Sequence, residues 1–141
     1  MEDIQIARST LEEGPWNLVI VKDGLVVFRS EEHGVAPFFG AVRSMLTSLH
    51  NAAAADRIVG SAVAMLCLHA GITSVYAAIA SRPAVDLLLQ QGVDVNSGEV
   101  VPHISNRDGT GLCPFELLAG NADSPAQLFN TLEAMLGGSE R

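Results

Sequence analysis

The densest chemistry in this chain lies in Asn106-Arg107-Asp108-Gly109-Thr110-Gly111-Leu112-Cys113-Pro114-Phe115-Glu116. An amide, a guanidinium, two carboxylates, a hydroxyl and a thiol fall within eleven positions that also hold two glycines. The run follows an apolar stretch and leads into a helical pattern, so it reads as a strand-to-helix loop. Such loops gather backbone N–H groups and polar side chains beside a helix N-terminus, where anions and reacting groups are readily held. Cys113 sits just before a proline with Glu116 three residues on, the spacing of a capping box, and a thiol at a helix N-terminus is a stronger nucleophile than a free one. Cys113 and Asp108 are therefore candidate catalytic groups. Asn106, Arg107 and Thr110 are candidate ligand contacts.

Three further residues belong with them. Asp56 reads as the N-cap of a helix carrying Ile58, Val59, Ala62, Val63 and Leu66, with Arg57 beside it. Arg82 precedes another helix start. In an open α/β sheet the ligand crevice lies at the carboxyl ends of strands, where the following helices begin. Asp56, Arg57 and Arg82 are further candidate ligand contacts, and the arginines together with the helix starts would suit a small anion such as a phosphate or carboxylate. The competing reading is that each arginine pairs with a local carboxylate (Asp56, Asp86 or Asp108) and only pins its loop. Among the histidines, His33 and His103 stand where they could reach a cleft, but no metal-binding spacing links them to Cys113. No metal and no cofactor is expected. Cys67, among Met65, Leu66 and Leu68, reads as core.

The elements that must position these residues follow from periodicity and punctuation. Ile4 to Glu13 has helical spacing and stops at Gly14-Pro15. Trp16 to Val21 and Leu25 to Arg29 are β-rich runs around Asp23-Gly24, a strong hairpin signal. A helix from Pro37 to His50 follows, then the alanine run Ala52 to Ala55, which reads as a helix approach or packing element. The apolar run Thr73 to Ala80 suits a strand buried on both faces. Ser81-Arg82-Pro83 opens a helix that stops at Gly92. Short strands at Val93 to Val95 and Val100 to Ile104, separated by Asn96-Ser97-Gly98, precede the loop. Helices from Pro114 and from Pro125 to Leu136 end the pattern, with 137–141 frayed. This order predicts one α/β domain over 1–141, a three-layer α/β/α sandwich with a mixed central sheet and the Trp16 hairpin at one side.

Composition limits the function. With 141 residues, 48% hydrophobic and 17% charged, the chain is long and apolar enough for a substantial core. A net charge of −8, with Lys22 the only lysine, argues against a nucleic-acid partner. The acidic start Met1-Glu2-Asp3 lacks the positive region of a signal peptide, and charges interrupt every apolar run before membrane-spanning length. Two cysteines form no disulfide framework, so a cytoplasmic protein with no membrane partner is expected. The hairpin edge leaves room for pairing with a second copy as a homo-oligomer.

Leu18-Val19-Ile20-Val21-Lys22-Asp23-Gly24, Gly34-Val35-Ala36-Pro37, Ala55-Asp56-Arg57-Ile58-Val59-Gly60 and, above all, Asn106 to Glu116 resemble a family of uncharacterised bacterial and archaeal proteins with a cytidine-deaminase-like fold. The likeness runs from about Ile4 to Met135, with Arg57 where that family usually has lysine. It implies a fold and no activity. Zinc deaminases carry His-x-Glu or Cys-x-Glu at one helix start and Pro-Cys-x-x-Cys at the next. Here those starts read Ala55-Asp56-Arg57 and Pro83-Ala84-Val85-Asp86-Leu87, and no His-x-Glu or Cys-x-Glu occurs anywhere in the chain. Two function classes stand side by side: a small-molecule site, either binding only or catalysing without metal through Cys113, and a non-catalytic interaction module. On either, purified protein should not release ammonia from cytidine or adenosine and should carry no zinc at those helix starts. One zinc per chain at those starts in metal analysis, or deamination in an ammonia assay, would contradict this.

Overall fold

The computed structural model describes residues 1–105, 109 and 111–137. Helix α1 (Asp3–Glu13) leads into a hairpin of β1 (Leu18–Lys22) and β2 (Leu25–Ser30), followed by α2 (Val35–Met45) and a 3-10 turn over Leu46–Leu49. Then come β3 (Ala53–Val59), α3 (Ser61–Ala70), β4 (Ser74–Ser81), α4 (Arg82–Gln90) and β5 (Asp94–Val101). Helices α5 (Pro114–Asn121) and α6 (Pro125–Leu136) complete the described chain. The sheet order is β2-β1-β3-β4-β5. β1 is antiparallel to both β2 and β3, whereas β3, β4 and β5 are parallel, so the sheet is mixed.

The alternation of side chains along each strand assigns the two faces. Leu18, Ile20, Ala54, Val75 and Ala77 point to one side, where α2 to α6 cover them with Phe38, Leu66, Leu88, Leu128 and Leu132. Val19, Val21, Ala55 and Tyr76 point to the other, where Ala7 and Leu11 of α1 cover them. The expected three layers are present, with one helix on one face and five on the other. β4 lies between β3 and β5, as an apolar run buried on both faces requires. At the hairpin tip Asp23 (φ 52°) and Gly24 (φ 79°) are both left-handed, the geometry that makes Asp-Gly a tight-turn dipeptide. The Asp3 carboxylate accepts both of their amides, at 3.0 and 2.9 Å, and so ties the start of α1 to the turn.

Three parts of the sequence reading are corrected. Asp56 does not cap a helix: Ala53 to Val59 is strand β3, and the helix starts at Ser61. Alanine has the highest intrinsic helix propensity, but here it is overridden by position. Ala53, Ala54 and Ala55 are buried between β1 and β4, with small side chains that let both layers close on the sheet centre. The deaminase-type position at the first helix start therefore moves to Gly60-Ser61-Ala62, which holds no metal ligand either. The second correction is that Asn96-Ser97-Gly98 is no turn. β5 runs unbroken from Asp94 to Val101, and a Cβ on Gly98 would stand 2.8 Å from the Ala78 carbonyl oxygen, so glycine serves close strand approach there. The second helix also differs at both ends, starting at Val35 and giving way to the 3-10 turn after Met45.

Candidate functional site

α3 begins with Gly60 at its N-cap, a residue with no side chain to satisfy the first helical amides. The carboxylate comes instead from α5. Glu116 Oε1 accepts from the Ser61 amide at 2.9 Å and Oε2 from the Ala62 amide at 3.2 Å. A Cβ at position 60 would stand 2.5–2.6 Å from that carboxylate, so Gly60 is what admits it. Both hydrogen bonds are charge-assisted, and the negative charge sits at the positive end of the helix. Glu116 therefore does not close a capping box on its own helix, as its spacing from Cys113 implies. The Cys113 amide donates to the Ile104 carbonyl at 3.0 Å instead, and the Cys113 side chain makes no capping bond. A bridge between Ser105 and Leu112 closes the base of the loop.

These contacts wall a cleft of about 390 Å³ at the end of the sheet where β3 and β4 finish. Asp56, Arg57 and Ile58 come from β3, Ala78 and Ile79 from β4, and Gly60 and Val63 from the start of α3. Asn17 precedes β1, and His33, Gly34 and Val35 lead into α2. Ile104, Cys113 and Glu116 close the remaining side. Asn17 Nδ2 donates to the Glu31 carbonyl at 2.6 Å and so holds the chain leading to His33 against the start of β1. Apart from a few polar groups the walls are aliphatic.

Asp56 is the singular residue in this cleft. It is 8% exposed and points to the α3 side of the sheet, between Leu18 of β1 and Ala77 of β4. Its Oδ1 accepts the Ile58 amide at 3.2 Å. Burial pushes its carboxyl from the ordinary 3.8 up to about 7, against the lowering effect of hydrogen bonds from the Ile58 and Arg57 amides. Near neutral pH Asp56 exists in both protonation states, able to donate or accept a proton. Cys67, in α3 behind it, is fully buried, and burial together with the Asp56 charge pushes its thiol well up. That thiol is inert core, as the sequence implies.

The other sequence-predicted site residues divide. Cys113 joins Asp56 and Arg57 at the cleft. The Arg57 guanidinium is engaged at its back, with Nε donating to the Trp16 carbonyl at 2.9 Å and Nη2 to the Leu11 carbonyl at 3.0 Å, which ties the end of α1 to β3. Arg82 is not among the cleft residues. Its side chain is largely exposed and stands 3.9 Å from Asp86, which is the local-pairing reading. Asn106, Arg107, Asp108 and Thr110 lie outside the described residues. His103 is exposed and does not line the cleft, whereas His33 does. Asn17 and Gly60 were not legible as site residues, because nothing local marks them and only the fold brings them to the cleft. Among the described residues no group of three His, Cys, Asp or Glu side chains is placed to hold a metal ion.

The architecture is that of the cytidine-deaminase-like fold, and the sequence lacks the His-x-Glu, Cys-x-Glu and Pro-Cys-x-x-Cys motifs of the zinc enzymes. The chain belongs to the family of TM1506, a domain of unknown function (DUF1893), whose model matches residues 6–136. The crystal structure of a DUF1893 family protein from Thermotoga maritima superposes with a TM-score of 0.85 at 24% identity, covering 95% of this chain and 90% of that one. The dCMP deaminase of cyanophage S-TIM5, in apo form, superposes with a TM-score of 0.50 at 17% identity, covering 72% of this chain and 100% of that one. These likenesses are of fold. No curated protein sequence matches the chain.

Two outcomes are expected from the site geometry. Replacing Glu116 by Ala should destabilise the protein by about 1–2 kcal/mol, the scale of a lost helix cap with charge-assisted bonds. Gly60→Ala should cost a similar amount in the wild-type background and much less once Glu116 is gone. Urea denaturation of both single variants and the double variant measures this coupling, and additive losses would show that the two residues do not meet. The second outcome concerns pH. An acid whose folded-state pKa lies above its unfolded value holds its proton more tightly when folded, so the contribution of Asp56 is most favourable below about pH 4 and is lost as pH rises to about 7. Asp56→Asn should gain on the wild type by up to about 4 kcal/mol between those limits. Melting curves of the two proteins across that range should diverge as pH rises; parallel curves would contradict the placement.

Proposed function

We propose that this protein binds a small molecule in the cleft between the ends of β3 and β4 and the start of α3, and that it does so without the zinc chemistry of the deaminases whose fold it shares. The observation that carries this reading is Asp56. A carboxyl held more than nine-tenths buried in a mostly aliphatic cleft, with one oxygen on a backbone amide, lowers stability at neutral pH and gains a purpose when a ligand meets it. Hydrogen bonds that join the cleft walls to the sheet and to α3 support the same reading. The wall carrying Cys113 and Glu116 is fastened to α3, and the wall carrying His33 is fastened through Asn17.

A metal-independent reaction at the Cys113 thiol is the second reading, favoured by the presence of that thiol in the same cleft as a group that titrates near neutrality. Two unpaired cysteines fit the reducing cytoplasm. A small anion at the 106–116 loop remains the proposal for Asn106, Arg107 and Thr110. The described part of the cleft lends it less, because Arg57 donates to two backbone carbonyls and Glu116 already fills the N-terminus of α3.

A thermal-shift screen against nucleosides, nucleotides, small carboxylates and small amines tests the binding reading. A ligand of the cleft should raise the melting temperature saturably, by an amount set by its concentration relative to Kd, and Asp56→Asn should weaken that effect. Cys113→Ser should leave binding intact on the binding-only reading and abolish turnover on the catalytic one. Stabilisation that Asp56→Asn leaves untouched would move the ligand out of the cleft, and a screen without stabilisation in any class would favour the interaction-module reading.

A further inference from the structure

The balance of charge in the cleft carries the small-molecule reading one step further, and the inference rests on that reading. We propose that the cleft is built for an organic cation: an ammonium, amidinium or guanidinium group on a compact apolar body, with the positive group against Asp56. The groups around Asp56 can be taken element by element. From β1 and β4 its neighbours in the sheet are Leu18 and Ala77, neither of them charged. From α3 the facing titratable group is the buried Cys67 thiol. α5 brings Glu116 to the cleft, the loop before it brings Cys113, and the segment before α2 brings His33. The next residue on β3, Arg57, directs its guanidinium to the Trp16 and Leu11 carbonyls rather than to a carboxylate.

Two carboxyls thus line the described cleft, and the one arginine beside them is engaged elsewhere. Glu116 has its counter-charge in the amides at the start of α3. Asp56, when ionised, accepts a backbone amide and forms no ion pair with Arg57 or His33, the two described cleft residues whose side chains can carry positive charge. An unpaired carboxylate in an aliphatic surround is strongly unfavourable, and the same surround makes an entering cation more attractive than water would allow. Val35, Ile58, Val63, Ile79 and Ile104 supply apolar area for the body of such a ligand. The net charge of −8 draws cations toward the molecule and disfavours anions. A bound cation would hold Asp56 ionised, so binding should release the proton that Asp56 carries in the free protein below neutrality.

Isothermal titration with matched probes tests this: benzamidinium, benzylammonium and phenylguanidinium, each beside a neutral isostere such as benzamide, with benzoate as the anion. At about pH 8 at least one cation should bind at least about tenfold more tightly than its isostere, and benzoate should not compete. Its affinity should fall about tenfold on going to about pH 6, with proton release that grows as the pH falls. Asp56→Asn should bring cation and isostere to the same affinity and flatten the pH profile. The wild-type pH profile and the isostere comparison decide the matter even if that variant folds poorly. Tighter binding of benzamide or benzoate, or a cation affinity indifferent to pH, would overturn the cation assignment while leaving a small-molecule site in place. Silence from all of these probes overturns the cation assignment, and the small-molecule reading falls with it only if the broader screen is silent as well.

Discussion

The Glu116 carboxylate on the first two amides of α3 is the contact on which the site depends. α3 starts where β3 ends, at the centre of the sheet, and its N-cap is a glycine. The segment after β5 leaves the sheet at an edge and must return to the centre for α5 and α6 to pack on α3. Glu116 supplies the polar half of that return. Leu128 and Leu132 of α6, both fully buried, supply the apolar half. A carboxylate between two amides at a helix start has little freedom, so the chain around Cys113 is set relative to β3 rather than merely near it. The cleft is the space left beneath that fastening.

The same contact changes what the helix N-terminus can do. Helix starts after parallel strands are ready-made anion sites, and the start of α3 is the central one in this sheet. With Glu116 in place its positive end is neutralised from within the chain, and the nearby surface of the cleft becomes acidic. Arg57 completes the change by turning back to the carbonyls that end α1 and precede β1. It serves as the C-terminal cap that α1 lacks, since no basic residue lies in the last turn of that helix. The fold is deaminase-like, and the electrostatics of this cleft are set by a carboxylate cap and a buried aspartate.

At Asp56 the local rules and the fold disagree. A β-strand flanked by strands on both sides favours apolar residues, and β3 is otherwise alanine, isoleucine and valine, with Asp56 and Arg57 in its middle. Violations of that kind gather at functional positions, where the loss in stability is offset by what the group does. Arg57 resolves its own polarity by bonding outward to α1. Asp56 resolves only part of its own, which is why burial leaves its proton so firmly held.

What the sequence by itself determined is whatever depends on neighbours along the chain. The Asp23-Gly24 turn, the cap at Ser81 and the apolar interior strand β4 are each specified within a few residues, since turn geometry and side-chain period are local properties. The α/β class and the absence of the zinc-deaminase motifs follow from order and residue type alone. The tertiary structure decided the rest. Ala53 to Ala55 became strand because burial between two neighbours outweighs helix propensity, and Asp56 was thereby carried from a solvent-facing cap into the floor of a cleft. Glu116 took its partners 55 and 54 residues away rather than at its own helix start. Spacing along the chain marks which groups are chemically able to meet. Which of them do meet, and in what dielectric, is set by packing between elements remote in sequence, and a buried carboxyl has its character from that packing alone.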